Sequence, residues 1–365
     1  MDDRLDVVEM TFKEFSESRD QWNSAVRRSI DRHVFLTWEW LWNWWNTWGH
    51  MNRFLLVALM DGSRIIAAAP LLHPKATSKL IGIGKTQFIG TVASDYHSFL
   101  LTQRDPEHVK VILDHLARRC GLIELNSVPE YSQTAQLLRA ASHRSLRFEE
   151  KTTDECPYVP LPDNWDDYFR TLSSGFRREI LRRERNLRRM NQLEFATCEK
   201  VEDVAEGMRS FFDLHQREWA AKQKRGIFSK QTDRDFHLGV ASAFAKRRWL
   251  LIGLLKLGGE TIAAQYNFKY ANKLYCYLSG YAPEYSKYGL GSLLDMYLVK
   301  HCIDHGLSEY DFLRGDEPYK KRWNAVTRRN LRFSATRKGL LPMLRRWIIK
   351  AVDSVDTLRT WAVEH

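Results

Sequence analysis

Cysteine is scarce, and its spacing suits no bridge or cluster. The chain has five, Cys120, Cys156, Cys198, Cys276 and Cys302, with no C-x-x-C among them. An odd, scattered set argues against a disulfide framework or a cysteine-type zinc site and fits a reducing cytoplasm. No apolar run approaches the roughly 18 residues that a membrane-spanning helix needs. The start, Met1-Asp-Asp-Arg-Leu-Asp, has acids where a signal peptide would have an apolar stretch. A metal site is not expected either. His301-Cys-Ile-Asp-His305 has helical H-x3-H spacing, but no third ligand accompanies it. No recognised nucleic-acid-binding motif is present.

What is present points to two folded domains. The chain is 365 residues long and 44% hydrophobic, enough for a core in each half. Its net charge of +11 favours anionic partners, whether a phosphate-bearing cofactor, nucleic acid or an anionic membrane surface, without choosing among them.

Periodicity is clearest in the second half. Leu193–Cys198 reads as a strand, and Val201–Lys224 and Thr232–Lys246 read as helices. Trp249–Leu257, Glu260–Tyr270 and Lys273–Tyr281 are three strands joined by the turns Gly258-Gly259 and Ala271-Asn272. Tyr288-Gly-Leu-Gly-Ser then opens a helix that Gly306 stops. A strand at Glu309–Leu313, a helix opened by Pro318 and a strand at Arg328–Thr336 complete the order. The first half gives the same order. Strands are expected at Leu5–Met10, Arg53–Met60, Arg64–Leu72, Leu80–Ile89, Leu122–Asn126 and Ser145–Glu150. Helices are expected at Thr11–Arg28, Trp38–Trp48, Asp105–Cys120 and Tyr131–Ser142. The fold class is therefore α/β, of the mixed-sheet kind: two tandem units, each with a mostly antiparallel sheet flanked by helices. The expected units are 1–155 and 156–338, followed by an amphipathic helix over 339–365. The Pro-rich stretch Thr152–Trp165 reads as a linker or a crossing strand. The terminal helix packs on the body or touches a membrane periphery.

Three local features stand out. Arg177, Arg178, Arg182, Arg183, Arg185, Arg188 and Arg189 crowd one helix with an apolar stripe of Phe176, Ile180 and Leu187. They form a solvated face or bind phosphate. Six tryptophans between Trp38 and Trp48 read as core plus a domain contact. Lys287-Tyr288-Gly289-Leu290-Gly291-Ser292 sits between a strand and a helix, where glycines and free helix N–H groups can cradle an anion.

Gly289-Leu-Gly291 at that place resembles the acetyl-CoA loop of the GNAT acyltransferase superfamily, usually R/Q-x-x-G-x-G/A, with Ser286 here at the R/Q position. Tyr310-Asp-Phe-Leu-Arg-Gly-Asp-Glu-Pro-Tyr-Lys-Lys-Arg-Trp323, His215-Gln-x-Glu-Trp219 and Ser94-Asp-Tyr96 resemble the cellulose-biosynthesis-associated (CelD/BcsL-type) acetyltransferases, which are similar to FemAB-type tandem GNAT enzymes. The resemblance runs from about Phe35 to Phe333. It implies one acyl-CoA site, acetyl-CoA or longer, held by Lys287 to Ser292 in the second unit, because Ser94–Leu100 stands where the first unit would carry a glycine turn. It also implies a backbone oxyanion donor near Leu278–Tyr281 and Tyr319 as the acid that protonates the departing sulfur.

Asp311, Asp316 and His215 are the candidate bases. Asp95, Tyr96, Glu218, Trp219, Arg314, Glu317, Lys320 and Trp323 are candidates for binding the acceptor, a small molecule or glycan. Each has a plainer use: Asp316 or Glu317 as a helix cap, Arg314 as its ion-pair partner, Trp323 and His215 in the core. The expected activity is acyl transfer from acyl-CoA to an amine or hydroxyl in the cytoplasm. An aminoacyl-tRNA-dependent transferase and a non-catalytic binding protein are the alternatives.

Overall fold

A computed structural model describes residues 5–75, 85–140 and 146–337. The chain divides into two compact units, Met1–Asp154 with Arg329–His365, and Glu155–Arg328. Through the first unit run β1 (Asp6–Met10), α1 (Phe12–Glu17), α2 (Arg19–Arg28), α3 (Trp38–Trp48), β2 (Asn52–Asp61), β3 (Arg64–Pro74), β4 (Lys85–Phe88), β5 (Leu100–Leu101), α4 (Pro106–Arg119), β6 (Leu122–Pro129) and α5 (Gln133–Ala140). β7 (Leu146–Pro160) leads into the second unit. There follow α6 (Trp165–Thr171), α7 (Ser174–Met190), β8 (Leu193–Cys198), α8 (Val204–Ala221), α9 (Gln231–Lys246), β9 (Leu250–Leu257), β10 (Glu260–Tyr270), β11 (Lys273–Tyr281), α10 (Leu290–Asp304), β12 (Glu309–Asp311), α11 (Pro318–Lys321) and β13 (Val326–Arg337).

The two units repeat one strand-pairing pattern. In the first unit β1, β2, β3 and β4 pair antiparallel in turn, β4 pairs parallel with β6, and β6 pairs antiparallel with β13. In the second, β8, β9, β10 and β11 pair antiparallel, β11 pairs parallel with β12, and β12 pairs antiparallel with the end of β7. Tight turns produce the antiparallel runs. Gly258 and Gly259, at φ 57° and 87°, supply the left-handed conformations that a two-residue hairpin requires. A helix precedes each strand that joins in parallel, as a crossover demands. The mixed, mostly antiparallel α/β architecture read from the sequence is the one observed.

The differences have local causes. From Arg329 on, β13 lies in the first unit, so the division falls after Arg328 and not after residue 338. Leu331, Phe333 and Ala335 alternate into the core that holds Leu125, Ile123 and Leu116, and a period of two commits the whole strand to that face. The Pro-rich stretch continues strand β7 as far as Pro160, and its carbonyls accept from the N–H groups of Phe312 and Gly315. The single helix expected over Thr11–Arg28 breaks at Ser18, whose hydroxyl bonds the Phe15 carbonyl. Helix α6, capped by Asn164, was not expected at all. In α3 the Trp40 and Trp44 side chains are buried, while Trp38 and Trp42 stack on each other at 5.3 Å. Part of the expected Leu80–Ile89 strand and the whole expected 339–365 helix lie outside the described residues. Among the described residues no helix is long and apolar enough to cross a membrane.

Candidate active site

A cleft opens in the second unit where two parallel strands part. β11 and β12 are paired at Lys273↔Glu309, Leu274↔Tyr310 and Tyr275↔Asp311, and nowhere further along. On its other edge β11 remains bonded to β10 as far as Tyr281, with a bulge: Tyr266 faces Leu278 and Asn267 faces Cys276, leaving Tyr277 as the extra residue. A bulge turns the strand locally and re-aims its groups. From Cys276 onward the β12 side of β11 therefore carries backbone N–H and C=O groups with no strand partner, a template for an extended ligand. A cavity of about 550 Å³ occupies this gap, walled by Cys276 to Ser279 and Tyr281 on one side and Phe312, Arg314 and Tyr319 on the other.

At one edge of the cavity α10 begins. Gly289 is left-handed at φ 57°, and its carbonyl accepts from the Leu293 N–H as the helix starts. A Cβ there would sit 2.1 Å from the Arg183 Nη1 of α7. The left-handed conformation favours glycine, and any side chain there would have to displace the guanidinium lying against it. Arg183 also pairs with Glu179 at 2.5 Å. A Cβ at Gly291 would sit tightly against the Tyr281 hydroxyl, at 3.0 Å. A helix start with uncapped N–H groups and a guanidinium beside it attracts phosphate. Gly289, Gly291 and Ser292 line the cavity. Leu290 is buried beneath the turn, and Lys287, exposed, lies over the Tyr288 ring.

The far wall comes from the loop into α11. Leu313 and Gly315 take positive φ, 57° and 116°, and Lys320 holds the bend. Its ammonium donates to the Arg314 and Gly315 carbonyls at 3.0 Å each and pairs with Glu317 at 2.8 Å. Glu317 serves that pair and makes no side-chain cap. Tyr319 is 40% exposed as a whole and stands edge-on to Phe312. Burial of its phenol, then the charge of Asp295, pushes its pKa up. It keeps its proton at neutral pH and can donate it.

Helix α8 closes the third side with His215, Glu218, Trp219 and Lys222. Glu218 pairs with Lys222 at 2.7 Å, and His215 stacks on Trp219. Burial lowers the His215 pKa to about 4 and that of the neighbouring His237 to about 3. Neither imidazole is charged at neutral pH, and His215 Nδ1 has no hydrogen-bond partner.

The sign for stability follows from these shifts. A folded pKa below the unfolded 6.5 means that the unfolded chain takes up protons first as pH falls. The neutral rings therefore stabilise the fold above about pH 6.5, and the contribution drains away as pH falls towards 4 and 3. For His237 the full loss is on the order of 5 kcal/mol. Asp295 and Asp311, raised to about 6 by burial, act in the opposite sense: they stabilise below the unfolded carboxylate range, and the gain is lost as pH rises through 6. Replacing His237 with Phe is expected to leave the chain more resistant to acid, so urea midpoints between pH 7 and 4 should fall less than in wild type. An unchanged midpoint profile counts against a buried neutral His237.

Several candidates are not brought here. Asp311 is fully buried; the Leu313 N–H donates to it at 2.9 Å and Arg328 lies 3.9 Å away. The alternation of β12 explains this, because Tyr310 and Phe312 face the cleft side and Asp311 faces the other. Asp316 is exposed on the loop and does not line the cavity. Asp95 and Tyr96 are buried in the first unit, where the Asp95 carbonyl accepts from Asn330 and Tyr96 packs edge-on to Phe35. Trp323 is a core residue with no exposure. Its ring meets Phe176 edge-on at 5.0 Å, and its carbonyl accepts from Tyr168. Trp323→Ala is expected to cost about 3–5 kcal/mol in stability, measured by urea unfolding; a loss below 1 kcal/mol would contradict the packing.

Sequence reasoning also missed residues. Gln265 and Tyr281 line the cavity, and Asp295 lies behind it. Asp295 is the charged residue among the buried apolar positions of α10, a break in pattern that could have marked it, whereas Gln265 shares β10 with the likewise buried Asn267 and carries no such mark.

Residues 174–321 match the family described as Acetyltransferase (GNAT) domain. The second unit carries a GNAT-type acetyltransferase domain. No curated protein sequence matches the chain. Among solved structures, FemX is 12% identical, with a TM-score of 0.65 over 90% of this chain and 96% of its own. A conserved protein of unknown function from Bacteroides thetaiotaomicron is 13% identical, with a TM-score of 0.57 over 91% of this chain and 100% of its own. The C-terminal domain of a putative lysylphosphatidylglycerol synthetase from Agrobacterium fabrum is 11% identical, with a TM-score of 0.54 over 91% of this chain and 96% of its own. At these identities the likeness is one of fold alone.

Proposed function

We propose that the cleft transfers an acyl group from acyl-CoA to an amine or hydroxyl of a small molecule or a glycan precursor. The observation that carries this reading is the left-handed Gly289 turn opening α10 beside the gap between β11 and β12. The turn, the α10 N–H groups and Arg183 suit the pyrophosphate. The unpaired edge of β11 suits the extended arm of the donor, with a backbone N–H near Leu278–Tyr281 stabilising the oxyanion.

The acceptor lone pair attacks the thioester carbon, and the carbon–sulfur bond then breaks. Tyr319 gives its proton to the sulfur as it leaves. His215, neutral and unpartnered at Nδ1, is the group placed to take the proton of the acceptor. Its low pKa makes it a weak base, so its part is to guide that proton towards solvent. The motifs shared with cellulose-associated acetyltransferases support a sugar acceptor, and the FemX-like fold leaves room for others.

Titration calorimetry with acetyl-CoA and longer acyl-CoAs tests the donor. Binding by wild type, lost in a Gly289→Asp, Gly291→Asp double variant, is the expected result, and no binding by wild type overturns the reading. One feature favours the aminoacyl-tRNA alternative. Arg178, Arg182, Arg185 and Arg189 form an exposed stripe on α7, opposite Phe176, Ile180 and Leu187, and regular guanidinium spacing suits a polyanion. Salt-dependent tRNA binding without acyl-CoA binding would select it.

A further inference from the structure

We propose that Asp295 is a positioning residue for this transfer, holding the Gln265 side-chain amide in a single orientation at the floor of the cleft. The proposal rests on the acyl-transfer reading for its role in turnover, and on the structure alone for the orientation.

Asp295 interrupts an apolar helix face. Its neighbours on the buried side of α10 include Leu294, Leu298 and Val299, and it is itself only 2% exposed. A buried acid among leucines costs stability unless its oxygens are satisfied. Here one oxygen accepts twice, from the Tyr310 hydroxyl at 2.8 Å and from Gln265 Nε2 at 3.1 Å. The Tyr310 oxygen also lies 3.1 Å from Gln265 Oε1. The three side chains come from α10, β12 and β10 and meet behind the cavity wall, and Gln265 is the member that lines the cavity.

The hydrogen inventory then fixes the amide. An ionised carboxylate has no donor, so the tyrosine O–H and an amide N–H must both point at it. With one N–H committed, the remaining N–H and the carbonyl of Gln265 have set directions. A protonated carboxyl can donate instead, and the amide loses that constraint. Asp295 is pushed up to about 6 by burial, with Tyr310, Gln265 and Lys320 opposing the rise. The groups facing it are Tyr310 on β12, Gln265 on β10, Cys276 and Tyr281 on β11, Tyr319 and Lys320 on α11, and Tyr168 on α6. Its negative charge also helps to keep the Tyr281 and Tyr319 phenols protonated.

The experiment compares wild type, Asp295→Asn, Gln265→Met and Tyr310→Phe. Asp295→Asn should lower kcat by on the order of 10- to 100-fold, the usual cost of losing a group that orients another. Its acyl-CoA Kd should stay within about twofold, and the acid limb near pH 6 should disappear from its kcat profile. Gln265→Met, which keeps the volume, should show the same loss. Unchanged kcat with an unchanged acid limb in Asp295→Asn overturns the proposal, as does full activity in Gln265→Met.

A second readout needs no turnover. Infrared difference spectra of wild type between pH 8 and 5 should show the carbonyl stretches of two buried carboxyl groups, Asp295 and Asp311. One of the two bands should be absent in Asp295→Asn, and that same band should be shifted in Tyr310→Phe. If Asp295→Asn does not fold, the Tyr310→Phe shift decides. If wild type turns over no acyl-CoA, the functional reading falls and the infrared result alone judges the orientation: two bands both unmoved by Tyr310→Phe overturn it.

Discussion

A Gly289→Asp variant will bind acyl-CoA at least about 100-fold more weakly than wild type while retaining its fold. Two effects combine. The new Cβ falls 2.1 Å from Arg183 Nη1, so the guanidinium must swing away from the helix start. The new carboxylate then competes for it. Two lost charge-assisted contacts to phosphate, at about 1.5–3 kcal/mol each, more than account for a 100-fold change. The backbone strain is smaller, about 1 kcal/mol for a left-handed residue with a side chain. Gly62→Asp separates the two effects. Gly62 is also left-handed, at φ 55°, but has nothing within 4 Å of a Cβ and lies in the first unit. It should lose similar stability and no affinity. Arg183→Ala should weaken binding by about 10-fold with the turn intact. Equal acyl-CoA affinity in Gly289→Asp and wild type would remove the phosphate site from this helix start.

Why the turn was legible and its partner was not is a matter of range. Gly289-Leu-Gly291 lies between a strand pattern and a helix pattern, so local chemistry alone marks it as a cradle. Arg183 is one of seven arginines on α7, and nothing in its own neighbourhood separates it from Arg182 or Arg185. Only the packing of α7 against the start of α10 sets it over Gly289. The sheet was legible for the same local reason: the Gly258-Gly259 and Ala271-Asn272 turns dictate neighbouring strands. β13 was assigned to the wrong unit because its period of two names a buried face without naming which core receives it. Two of the candidate acids lie off the cavity for local reasons. Asp311 and Asp316 stand out in the signature from Tyr310 to Trp323, yet the alternation of β12 turns the first away and the loop exposes the second. Glu218 and Glu317 do line the cavity, whereas Asp295, behind its wall, carries no local mark beyond its place among the apolar residues of α10. Trp323 was open between acceptor binding and the core, and its ring packs in the core against Phe176 of α7.

Tyr319 gives the largest effect expected on the chemical step. Replacing it with Phe should reduce kcat by about 100- to 1,000-fold, the range for loss of a positioned proton donor, with little change in acyl-CoA affinity. Stability should hold, because the hydroxyl bonds no protein group among the described residues and the ring contact with Phe312 survives the change. The decisive variable is the leaving group. A thiolate of ordinary alkyl basicity needs a proton as the carbon–sulfur bond breaks, whereas the anion of an acidic aryl thiol departs without one. The Tyr319→Phe loss should therefore be large with the natural thioester and shrink to within about 10-fold with an aryl thioester of the same acyl group. Because burial and the Asp295 charge both raise the phenol's pKa, the wild-type rate should show no basic limb from this group below pH 10. A loss of equal size with both thioesters would mean that Tyr319 orders the cleft without transferring a proton, and the acid would then have to be sought in Tyr281, another phenol lining the cavity, whose proton burial retains.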